Sequence, residues 1–186
     1  MKKFTPLFVS VFSLHALFAQ TESSHYKIVP LVTKETFTLN SGGRAMFGGK
    51  SRNYLLVQLP PNTIEWYYAV TTSPEQAPAP TIGLADQLIK YLTPTGLMST
   101  VMSALITPNG SGACDVYLLT NQNDLNNFLA KQPRVPCLMS GTRENFNQGI
   151  VQVRDALQGN YFLAMRNPSG IAAVKITIEV SAVVKE

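Results

Sequence analysis

Residues 174–182 read Val174-Lys175-Ile176-Thr177-Ile178-Glu179-Val180-Ser181-Ala182. Val174, Ile176, Ile178, Val180 and Ala182 alternate with Lys175, Thr177, Glu179 and Ser181. A period of two puts the apolar set on one side of an extended chain. The pattern predicts a half-buried antiparallel strand. Upstream, Tyr161, Leu163 and Met165 alternate with Phe162, Ala164 and Arg166. The turn formers Asn167-Pro168-Ser169-Gly170 lie between the two segments and predict a hairpin joining them. Gly159-Asn160 separates Tyr161 from an earlier strand around Ile150–Arg154. Three consecutive antiparallel strands are therefore expected to close the chain.

The first half has the same grammar. Phe37 and Leu39 precede a glycine-rich turn from Ser41 to Gly49, after which Leu55, Val57 and Leu59 alternate with Tyr54, Leu56 and Gln58. Pro60-Pro61-Asn62 ends that run. Ile64, Trp66, Tyr68 and Val70 then form the apolar face of another strand, with Glu65, Tyr67, Ala69 and Thr71 opposite. Asp115 to Thr120 adds a short strand. Between these β-rich halves, Pro74 to Pro80 reads as a linker, and residues 82–106 follow a helical period. Ala85, Leu88, Ile89 and Leu92 are spaced i, i+3, i+4, i+7; Leu97 or Met98, Val101, Met102 and Leu105 repeat the spacing. Pro94 and Gly96 split this stretch into two short helices. A further helical turn is expected at Asn123–Lys131, capped by Asn123 or Asp124. The fold expected is a single, mainly β, antiparallel jelly-roll-like β-sandwich with a short helical insertion over about 82–106.

The N-terminus carries a different signal. Lys2 and Lys3 precede an apolar run from Phe4 to Phe18, followed by Ala19-Gln20. A charged start, a short apolar run and a small residue are the pattern of a secretory signal peptide. The run is shorter than the roughly 20 residues a membrane span needs. Residues 1–19 are thus read as a signal peptide cut after Ala19, and 20–186 as one exported domain, periplasmic or extracellular. No transmembrane helix is expected in the mature chain.

The formal net charge is +4, and Lys2 and Lys3 leave with the leader. What remains is too little to argue for nucleic acid, whose binding needs clustered Lys and Arg. Charged residues are 14% of the chain, well below the roughly 25% of an average soluble domain. A surface of Thr, Ser, Asn and Gln fits an exported β protein.

Cys114 and Cys137 are an even pair in a chain read as exported, which predicts a disulfide worth roughly 3 kcal/mol, the alternatives being two buried thiols or a metal pair. A zinc site is disfavoured, since His25 is the only histidine left after processing and two cysteines alone make a poor site. No metal and no other cofactor is expected. The run Gly42-Gly43-Arg44-Ala45-Met46-Phe47-Gly48-Gly49-Lys50-Ser51 fails the phosphate-loop spacing, because position 44 is Arg44, and a strand follows where a helix is required. A Ser/His/acid set lacks its base. Carboxylate pairs, which suffice for glycoside hydrolysis, have Glu65, Asp115, Glu144 and Asp155 as candidates.

Aromatic and apolar side chains are the better handle for a partner. Alternation puts Trp66 and Tyr68 in the core and Tyr67 outside, where it can stack on a sugar or a protein. The helical insertion adds Leu97, Met98 and Met102 to this candidate interaction surface, unless its apolar faces are spent covering a sheet. With Asp86 and Lys90 as its charges, the insertion is a poor match for an anionic membrane surface.

Two segments carry a resemblance. Cys114-Asp115-Val116-Tyr117-Leu118-Leu119 resembles the Asp-x-Tyr-Leu strand of bacterial pre-peptidase C-terminal domains, and Gly159-Asn160-Tyr161-Phe162-Leu163-Ala164 is similar to their closing segment. The same closing segment, with Asn167, resembles the end of the GOLD domain. Those families imply a jelly-roll-like sandwich and a non-catalytic accessory or binding role. The resemblance covers residues 110–184 loosely; the helical insertion departs from the pre-peptidase pattern.

Two functions are expected from this reading. The first is an exported, non-enzymatic binding or structural module of a bacterial envelope or secretome, with an envelope protein or glycan as partner. The second is a carboxylate-dependent hydrolase acting on polysaccharide.

Overall fold

The alternating segment that begins at Val174 forms an inner strand of one sheet. The computed structural model describes residues 25–186; the signal peptide read over residues 1–19 lies outside them. The elements, in order, are β1 (Tyr26–Leu39), α1 (Gly42–Ala45), β2 (Arg52–Gln58), β3 (Thr63–Ser73), α2 (Leu84–Ile89), β4 (Leu92–Thr93), β5 (Gly96–Leu97), α3 (Val101–Ala104), β6 (Cys114–Leu119), α4 (Gln122–Leu129), β7 (Leu138–Phe146), β8 (Gln148–Val153), β9 (Asn160–Arg166) and β10 (Val174–Lys185).

Eight of the strands form two four-stranded antiparallel sheets, ordered β1-β10-β3-β8 and β2-β9-β6-β7. Numbered one to eight along the chain, these strands give the orders 1-8-3-6 and 2-7-4-5. That is the wiring of a jelly roll, in which eight strands alternate between two packed sheets. The fold is a mainly β sandwich, as the alternation predicts.

The core between the sheets holds Trp66, Tyr68 and Val70 of β3, Ile176, Ile178 and Val180 of β10, Val116 and Leu118 of β6, and Leu163 and Met165 of β9. The polar tips of the two large aromatics are satisfied. Trp66 Nε1 donates to the Ala156 carbonyl at 2.7 Å, and the Tyr68 hydroxyl to the Gly141 carbonyl at 2.7 Å. Leaving such a group unpaired in a core costs about 1–3 kcal/mol.

The expected closing hairpin is not formed. β9 belongs to the second sheet and β10 to the first, so Asn167-Pro168-Ser169-Gly170 arches across the sandwich. β8 likewise sits on the far edge of the first sheet, beside β3. Period two and turn formers identify strands and reversals, but a hairpin and an arch share both signals. β1 also extends much further than Phe37 and Leu39 suggest. Pro30 and register shifts at Pro30/Val32 and Val32/Glu35 interrupt its alternation, which an edge strand tolerates.

The insertion is less helical than its spacing implies. Helix is confined to α2 and α3, and the two-residue strands β4 and β5 pair between them. Gly96, at φ +113°, takes a left-handed turn that ends any continuous helix. Ile82, Leu84, Leu88 and Val101 pack over Tyr67, Ala69 and Val183, making a second core on the outer face of the first sheet. On the second sheet, α4 is capped by Asn121 rather than by Asn123 or Asp124; its Oδ1 accepts from the Asp124 N–H at 2.9 Å. Leu125 and Phe128 of α4 pack on Leu119 and Ala164. No helix among the described residues is long and apolar enough to cross a membrane.

Candidate functional site

The expected disulfide is absent: Cys114 and Cys137 are free thiols. Cys114 lies in the core between the sheets, with its Sγ 3.3 Å from the Phe146 carbonyl oxygen it donates to. Cys137 packs with Leu119 and Phe128 on the outer face of the same sheet. Side chains on opposite faces of a sheet do not reach the 3.5–4.5 Å or so between Cβ atoms that a disulfide needs. Counting cysteines cannot reveal the face each one occupies.

Of the expected interaction surface, Tyr67 is overturned. It is fully buried beneath the insertion, and its hydroxyl accepts from Gln152 Nε2 at 2.6 Å. Alternation correctly placed it on the face opposite Trp66, but not what covers that face. Leu97 is half-buried against the same cluster. Met98 and Met102 remain partly open, at 49% and 38% exposure.

The acids separate into two groups. Glu65 is on the first sheet, where its carboxylate accepts from Arg154 Nε at 2.9 Å and Gln152 Nε2 at 2.7 Å. Asp155 accepts from Ser140 Oγ at 2.8 Å. Asp115 and Glu144 meet on the outer face of the second sheet. The Tyr117 hydroxyl lies 2.6 Å from Glu144 Oε1 and 3.5 Å from Asp115 Oδ2.

That face carries the site. Register places Arg52 of β2 opposite Arg166 of β9, and Arg166 opposite Asp115 of β6. The next row outward holds Tyr54, Ala164 and Tyr117. Each side chain lies two residues along its strand from the one before, so all share one face. Arg166 Nε donates to Asp115 Oδ2 at 2.6 Å, and Asp115 Oδ1 accepts from the Asn145 N–H at 2.8 Å. Both oxygens of this buried carboxylate are therefore engaged. The Arg166 guanidinium also lies 5.5 Å from the Tyr117 ring centre, within cation–π range.

Arg52 is held differently. It donates to the carbonyl of Phe128 at the end of α4 and lies 4.8 Å from that residue's ring centre. A helix C-terminus favours a cation, but Arg52 has no carboxylate partner among the described residues. Burial, and then Arg166 beside it, push its guanidinium below the usual range. Asp115 pairs with Arg166 alone and Glu144 Oε1 accepts from Tyr117, so the charge of Arg52 is left without an ion-pair partner among the described residues. The Tyr117 phenol is pushed upward by burial, by its hydrogen bond to Glu144 and by the charge of Asp115, so it stays protonated and donating.

Arg52, Tyr117, Phe128, Arg134, Glu144 and Arg166 line a cleft of about 240 Å3. Two further depressions meet it, one at Arg52 and the other at Arg52 and Arg166, and Lys131 lines both of them. The face offers an ammonium, guanidinium groups and aromatic rings. That chemistry suits an anionic ligand with a flat or ring-shaped body. Asp115 and Glu144 were among the acids expected from the sequence; Arg52 and Arg166 were not expected at a site, because only the pairing of β2 with β9 brings them together. No known family model matches this chain, and no curated protein matches it.

Proposed function

We propose that this protein is an exported, non-enzymatic binding module of a bacterial envelope or secretome, using the outer face of the second sheet to hold an anionic ligand. The observation that carries this reading is Arg52, a cation fixed at the mouth of an aromatic cleft with no carboxylate of its own. The resemblance of residues 110–184 to accessory sandwich domains supports a binding role. Export rests on the leader pattern alone, because the free cysteines remove the argument from a disulfide. The test is binding of the purified protein to envelope extracts, acidic glycans and peptidoglycan fragments. Saturable binding that falls at least tenfold in Arg52→Ala is expected. Equal binding by that variant removes the reading.

The hydrolase reading draws on one observation, the convergence of Asp115 and Glu144 on Tyr117. A glycosidase needs both acids to reach the substrate. Asp115 is 2% exposed and spends both oxygens on Arg166 and Asn145, which favours scaffolding over chemistry. Release of reducing ends from a polysaccharide, lost in Glu144→Gln, would reverse that preference.

A further inference from the structure

One end of the sandwich displays large apolar side chains that none of the described residues covers. Phe47 is 95% exposed, Ile171 91% and Met46 84%. Single exposed apolar residues are ordinary, but these belong to two loops bonded side by side. The Gly42 N–H donates to the Ser169 carbonyl at 2.9 Å, and the Gly43 N–H to the Gly170 carbonyl at 3.2 Å. Ser41 Oγ caps the single turn of α1, accepting from the Arg44 N–H at 3.2 Å. Asn167 Nδ2 braces the second loop, donating to the carbonyls of Leu39 and Ala172 at 3.1 and 2.8 Å. Gly49, at φ +101°, turns the first loop back against Asn40, where a Cβ would lie 2.1 Å from Asn40 Nδ2. The tip is thus a framed structure that holds Met46, Phe47 and Ile171 in water.

Beside the tip the charge is positive. Lys50, Arg52 and Lys131 line one depression, and Arg52, Lys131 and Arg166 the next, which also includes Gly42, Asn167 and Pro168 from the two loops. Among the described residues Lys50, Arg52 and Lys131 have no carboxylate partner. Glu75 and Asp115, the acids bonded to this end, are bound to Arg44 at 2.8 Å and Arg166 at 2.6 Å. An apolar tip rimmed by unneutralised cations is complementary to one kind of surface, a bilayer with anionic headgroups. Acyl chains take up the apolar side chains, and phosphates meet the cations.

We propose that this end of the sandwich docks on an anionic lipid surface, with Met46, Phe47 and Ile171 entering the acyl boundary and Lys50 and Lys131 contacting headgroup phosphates. The docking does not require the cleft at Tyr117 to be occupied, and Phe47 and Ile171 do not line that cleft, so Phe47→Ser/Ile171→Ser tests the tip while leaving the ligand face of the binding function intact.

Trp66, the chain's single tryptophan, is buried, so a tryptophan introduced at the tip reports its own surroundings. Phe47→Trp is compared with Gln158→Trp, an exposed position at the opposite end of β2 and β9, both in the full chain. The probes are vesicles of phosphatidylcholine with or without phosphatidylglycerol, carrying brominated acyl chains. The expected result is a blue shift and quenching for Phe47→Trp on the phosphatidylglycerol vesicles alone, with neither change for Gln158→Trp. Binding should fall at least tenfold in Phe47→Ser/Ile171→Ser, several-fold in Lys50→Glu/Lys131→Glu, and with added salt. Equal quenching at both positions, or none at position 47, overturns the proposal. So does binding of glycerol phosphate in solution without binding to vesicles, which would make the cations a site for a free anion. A dimer that Phe47→Ser dissociates, with no vesicle binding, would instead assign the tip to a second copy of this chain.

Discussion

Glu179 on β10 holds the start of α2 in place: its Oε2 accepts from the Leu84 N–H at 2.7 Å, while Oε1 accepts from Ile82 at 2.8 Å and Gly83 at 3.2 Å. By alternation Glu179 is a solvent-facing strand residue. In the fold it is buried under the insertion, and its carboxylate satisfies three N–H groups that have no partner within a helix. The negative charge also suits the positive end of the helix.

Glu179→Ala leaves those three donors buried without an acceptor, so it should lower stability by about 3 kcal/mol. Glu179→Gln keeps one carbonyl oxygen and should cost roughly half as much. Urea unfolding measures both. Amide exchange should show residues 82–106 losing protection before the sandwich does. A change below about 0.5 kcal/mol in the alanine variant would mean that the insertion does not depend on this carboxylate.

Thiol chemistry tests the separation of the two cysteines. Under denaturing, non-reducing conditions both should be alkylated, giving two labels by mass spectrometry. In the native protein Cys137 should react first. Burial, and then the charge of Asp115, push the Cys114 thiol up to about 12, so at neutral pH it carries almost no thiolate, the reactive form. A protein with no free thiol would contradict the placement of Cys114 and Cys137 on opposite faces.

Stability should be lost on the alkaline side. The folded state raises the Cys114 pKa from its ordinary 9.0 to about 12. Tyr67, Tyr68 and Tyr117 are raised from 10.0, each chiefly by burial. In each case the folded chain holds its proton more tightly than the unfolded chain does. Their contribution is therefore complete below about pH 9 and is lost as pH rises through the shifted range. Thermal melts should show a falling midpoint above pH 9, and Cys114→Ala should flatten the first part of that fall. A midpoint that rises between pH 9 and 11 would contradict the sign.

Asp115 and Glu144 should behave as scaffold and rim. Asp115→Ala removes the partner of Arg166 and the acceptor for Asn145 from a buried position, at a cost of about 2–4 kcal/mol. Glu144 is exposed, and Glu144→Ala should stay within about 0.5 kcal/mol of the parent. Chemical denaturation separates the two, and equal losses would count against the division of roles.

Strand identity and facing were legible from residues alone, because alternation is a property of the extended backbone itself. Trp66 and Tyr68 point into the core, Ile176 and Ile178 do the same, and the mainly β class follows from such runs. The fate of the opposite faces was not legible. Tyr67 and Glu179 are covered only because a segment more than a dozen residues further along the chain, or nearly a hundred residues back, folds over them. The arch at Asn167–Gly170, the opposed thiols and the row Arg52–Arg166–Asp115 were hidden for the same reason. Each depends on which distant strands become neighbours and in what register. Local chemistry dictated which side of each strand is apolar; the closing of two sheets on one another decided what those sides meet.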